Sequence, residues 1–84
     1  MKTKPKTTPE CEQLMTLVME GLEANIFDSP KRESARVALK RLCKKKCSKA
    51  IEYIIERSNE MSVMDPFARE ISKESTECLN KLSQ

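Results

Sequence analysis

Two of the four cysteines of this 84-residue chain, Cys43 and Cys47, stand one helical turn apart in its middle, while Cys11 and Cys78 stand near its ends. A chain this short buries a smaller share of its surface than a longer one, so a hydrophobic core alone leaves it marginal. Hydrophobic residues make up 38% and charged residues 35% of the sequence, a balance polar enough to call for a staple. Four cysteines can supply it, provided the fold brings them together.

Apolar periodicity shows how it can. Cys11, Leu14, Met15, Val18, Met19, Leu22 and Ile26 recur at three and four residues, one stripe of an amphipathic helix that Pro9 can start. Before it, residues 1–9 carry lysine, threonine and proline but no large apolar residue after Met1, which predicts a flexible tail ahead of a single helical domain over 10–84. Asp28-Ser29-Pro30 combines cap residues with a proline of preset φ and marks a second helix start. From Ala35 through Leu39, Leu42, Cys43, Cys47, Ile51 and Ile54 to about Asn59, helical spacing continues without glycine or proline. That predicts a central helix of about 30 residues, about 45 Å long, with room for a bend near Cys47-Ser48. Its apolar stripe rotates by roughly 80° along the way, so its two halves face different partners. Asp65-Pro66 announces a third helix, with Ser62 as an alternative cap, whose stripe is Phe67, Ile71, Cys78 and Leu82. No strand pattern occurs, and the lone glycine, Gly21, leaves few tight turns for a sheet. The expected fold is all-α: a three-helix antiparallel bundle with a long, bendable central helix, stapled by two disulfides.

Folding the chain back near Asp28 and near Ser62 carries Cys11 and Cys78 to the level of Cys43 and Cys47. Side chains one turn apart on a helix run parallel, which disfavours a bond between Cys43 and Cys47. The rotating stripe favours Cys11 with Cys43 and Cys47 with Cys78; Cys11 with Cys47 and Cys43 with Cys78 stays open. Bridges closing loops of about 32 residues each stabilise by roughly 3 to 4 kcal/mol. A Cys₄ metal centre or a thiol-redox module is the rival use of the same residues, although the short Cys-x₂-Cys knuckles of such sites are missing. Free, buried cysteines are the plain alternative.

Catalysis has little to work with. The chain has no histidine, so the commonest general base is absent and Ser-His or Cys-His nucleophile pairs cannot be built. Glu52 and Glu56 sit one turn apart, a spacing common on solvated helix faces. No catalytic residue, metal ligand set or cofactor is assigned. Tyr53 and Phe67 read as packing residues, and Met15, Met19, Met61 and Met64 as core or turn filling.

The formal charge is only +3, too small to demand a polyanionic partner. Its distribution is more telling. Glu10, Glu12, Glu20 and Glu23 mark an acidic first helix, whereas Lys40, Arg41, Lys44, Lys45, Lys46 and Lys49 crowd one segment. The candidate binding surface is Lys40, Arg41, Lys44, Lys45 and Lys49, suited to an acidic protein target, and part of it can instead pair with the first helix. Sparse aromatics argue against nucleic acid. No run approaches the roughly 18 apolar residues of a membrane span. These features point to a non-enzymatic, secreted, disulfide-stabilised helical protein of effector, hormone or toxin kind, its signal peptide removed. The alternatives are a cytoplasmic four-cysteine metal or redox module and a basic helical adaptor or nucleic-acid-binding domain.

Overall fold

The computed structural model describes residues 5–83 and contains four helices among them: α1 (Pro9–Glu23), α2 (Ser29–Lys44), α3 (Ser48–Met61) and α4 (Pro66–Leu82). Of the tail expected over 1–9, residues 1–4 lie outside the described residues, as does residue 84 of the helical domain. The described residues include no strand.

Three helices begin as their sequences dictate. The Thr8 hydroxyl accepts from the Cys11 amide at 3.2 Å, Asp28 Oδ1 from Lys31 at 3.3 Å, and Asp65 Oδ1 from Phe67 at 3.0 Å. Each cap is followed by a proline in the first turn, Pro9, Pro30 or Pro66, whose missing N–H removes no helical bond there.

The expected 30-residue central helix is corrected to two helices, and hence three helices to four. Its continuation fails at Lys46, which adopts φ 58°. The Lys46 amide donates to the Cys43 carbonyl and the Cys47 amide to that of Leu42, both at 3.1 Å, the bonding pattern of a Schellman C-terminus. The chain reverses there instead of bending. A helix of about 45 Å could not fit a molecule whose longest extent is 33 Å.

The helices pack mainly as two pairs, α1 on α2 and α3 on α4. Antiparallel packing of the first pair follows from contacts at both ends: Glu10 pairs with Lys45 at 2.5 Å, and Gly21 lies against Ala35 and the Lys31 carbonyl. Gly21 lets α1 and α2 approach closely, since a Cβ there would collide with that of Ala35 and lie 3.0 Å from the Lys31 oxygen. Gly21→Ala should therefore lower stability by about 1 to 2 kcal/mol despite the better helix propensity of alanine. A urea titration showing a gain instead would mean that α2 is free to move away.

The two pairs meet over a core of Met15, Val18, Leu22, Leu42, Ile51, Ile54 and Ile71. At one end α2 and α4 are tied by a polar and aromatic cluster. Arg32 pairs with Asp65 at 3.0 Å and Arg36 with Glu70 at 2.6 Å. Both guanidinium groups lie over the buried Phe67 ring, 4.6 and 5.1 Å from its centroid. The hydrogen bond to Glu70 raises the Arg36 pKa above its ordinary value, against a smaller opposing effect of burial. The first helix ends three residues before Ile26, which the stripe had assigned to it. Ile26 instead lies exposed in the α1–α2 turn.

Candidate functional site: a lysine turn between two disulfides

At the end opposite the Arg32–Asp65 pair, all four cysteines are joined: Cys11 to Cys47 with Cα atoms 6.0 Å apart, and Cys43 to Cys78 with Cα atoms 5.9 Å apart. This corrects the favoured Cys11–Cys43 and Cys47–Cys78 pairing. Cys43 shares a row of α2 with Arg32 and Arg36, eleven and seven residues before it, and those arginines reach α4. The row carries Cys43 to the same neighbour. Cys47 has left that helix. It caps the start of α3 beyond the reversed turn and faces α1.

The consequence is a short segment with both ends pinned. Lys44, Lys45 and Lys46 lie between Cys43 and Cys47, all three exposed, and each flanking cysteine is bonded to a different helix. Lys44 is the last residue of α2, and Lys45 and Lys46 form the turn that follows it. Lys46 supplies the left-handed position, usually glycine, at which an L side chain is disfavoured by roughly 1 kcal/mol or more. Lys46→Gly should raise stability by about 1 kcal/mol, seen as a melting temperature a few degrees higher. An unchanged or lower melting temperature would show that the turn is unstrained.

The expected surface residues border several grooves. All five of Lys40, Arg41, Lys44, Lys45 and Lys49 are exposed. Lys40 borders the α2–α4 groove beside Glu74 and Glu77, and Arg41 borders the α1–α2 groove. Lys49 lines a groove with Glu52, Tyr53 and Glu56, and Lys45 meets Glu10. Lys46, left out of the expected surface, sits at a chain reversal that periodicity does not reveal.

The four sulfurs are consumed as disulfides, which removes the donors of a four-thiolate centre. Among the described residues no group of three or more histidine, cysteine or acidic side chains is placed to hold a metal ion, and no helix is long and apolar enough to cross a membrane. The far end is chemically different. Its two turns expose Ile26, Phe27, Val63 and Met64, with Phe27 85% and Met64 88% accessible. Met64 was expected to fill its turn and does not, whereas Met61 packs against the core.

No protein-family model, curated protein or solved structure matches the chain.

Proposed function

We propose that this is a secreted, non-enzymatic binding protein whose disulfide-fixed lysine turn engages an acidic surface on a protein target. The observation that carries the reading is the clamping of Lys44, Lys45 and Lys46 between two cysteines bonded to different helices. A turn held in place before binding loses little conformational freedom on contact, so more of its electrostatic attraction appears as affinity. Two disulfides suit an oxidising, extracellular compartment. Lys6 and Lys49, both exposed, add positive charge outside the turn. The fold behind this reading is all-helical, with four helices among the described residues.

The test is binding to an array of purified extracellular ectodomains, comparing the natural chain with a Lys44→Glu, Lys45→Glu, Lys46→Glu variant. The reading expects a selective hit whose affinity falls at least about tenfold in the variant and weakens with salt. Phe27→Ser with Met64→Ser, at the opposite end, should change it by less than about twofold. Binding lost only in the second variant would transfer the function to the apolar end. Lysine-dependent binding to an oligonucleotide, with no ectodomain hit, would replace the protein target by nucleic acid.

A further inference from the structure

The outer face of the α1–α2 pair carries a surface that is complementary to itself. Along α2, Glu33, Val37 and Arg41 follow one another at four-residue spacing and therefore form one row, with about 12 Å of helix between the two charges. All three line the same groove, where Leu17 of α1 runs beside them. Leu17 is 41% and Val37 44% exposed. The row thus reads acidic, apolar, basic. Glu33 meets Arg36 at 3.2 Å but keeps 67% of its side chain accessible, so it can still receive a second cation.

We infer that the chain pairs with a second copy of itself through this row, about a two-fold axis passing near Val37. Rotation about such an axis lays α2 antiparallel to its counterpart. Val37 meets Val37, and the Glu33 of each copy meets the Arg41 of the other. A two-fold contact uses the same patch twice, and a surface with opposite charges on either side of an apolar centre is self-complementary in that sense. Its apolar centre consists of two half-exposed side chains, Leu17 and Val37, and the rest of the contact is charge pairing, so association is weak and salt-sensitive. None of the three lysines of the turn takes part, and the pairing stands or falls apart from the binding reading above.

Sedimentation velocity across a concentration series to about 1 mM at low salt tests it. The natural chain should shift from monomer to dimer, and added salt should reverse the shift. Arg41→Glu and Glu33→Lys should each remain monomeric with unchanged far-ultraviolet circular dichroism, because each places like charges across both ends of the contact. Mixed in equal amounts, the two variants should form a heterodimer, since every charge pair is then opposite. Val37→Asp should also stay monomeric. A natural chain that is monomeric throughout, variants that dimerise as well as it does, or a mixture that stays monomeric would each overturn the inference.

Discussion

Replacing Cys43 and Cys78 together with serine should lower the unfolding free energy by about 4 kcal/mol, and so should replacing Cys11 and Cys47. The bridges span 35 and 36 residues, and closing loops of that size removes roughly this much chain entropy from the unfolded state. Domains of this size have roughly 5 to 10 kcal/mol in total, so each double variant should fold only marginally. The fully reduced chain should be mostly unfolded at room temperature. Urea titrations followed by circular dichroism, with and without reductant, measure both effects. Two variants retaining most of the natural stability would mean that the helix pairs hold themselves together and that the bridges serve only to shape the lysine turn.

Phe67→Ala should cost about 3 to 5 kcal/mol. The ring is almost fully buried and supports Arg32 and Arg36 while they pair with Asp65 and Glu70. Removing it leaves a cavity at the end of the molecule that no disulfide secures, and takes away the aromatic face that holds both guanidinium groups. Phe67→Leu, which restores most of the apolar volume without the ring face, should recover more than half of the loss. Chemical denaturation of both variants separates packing from cation–π attraction. If leucine is as damaging as alanine, the ring face dominates; a loss below about 1 kcal/mol on alanine would mean that this end repacks freely.

Much of the fold was legible because its signals are local. Pro9, Asp28-Ser29-Pro30 and Asp65-Pro66 mark where helices begin, and three helices begin there, although the Thr8 cap was not read from the sequence. The convergence of four cysteines at one level also followed from chain length and helical rise alone. The break between α2 and α3 did not. Its left-handed residue is a lysine rather than a glycine, and Cys47 falls in helical step with Cys43 across a turn that is not helical. The roughly 80° rotation of the apolar stripe was the surviving trace of that break, and reading it as two faces of one helix led to the wrong cysteine partners. Ile26 misled in a similar way, keeping apolar spacing one step beyond the last residue that α1 buries, Leu22. The Arg32 and Arg36 contacts with α4 span 33 and 34 residues, and no local pattern announces pairs so distant. Which grooves Lys40, Arg41 and Lys49 border likewise depends on where neighbouring helices lie.

The lysine turn is anchored to α1 through Cys47 and to α4 through Cys43. Trypsin tests it directly, because it cleaves after Lys44, Lys45 and Lys46 and so separates Cys43 from Cys47 without reduction. Mass spectrometry of the unreduced digest, with any free thiols alkylated first, should find the peptide of residues 7–31 linked to 47–49 and that of residues 42–44 linked to 74–81. Residues 7–31 linked to 42–44 and residues 47–49 to 74–81, or all four cysteines recovered alkylated, would contradict it.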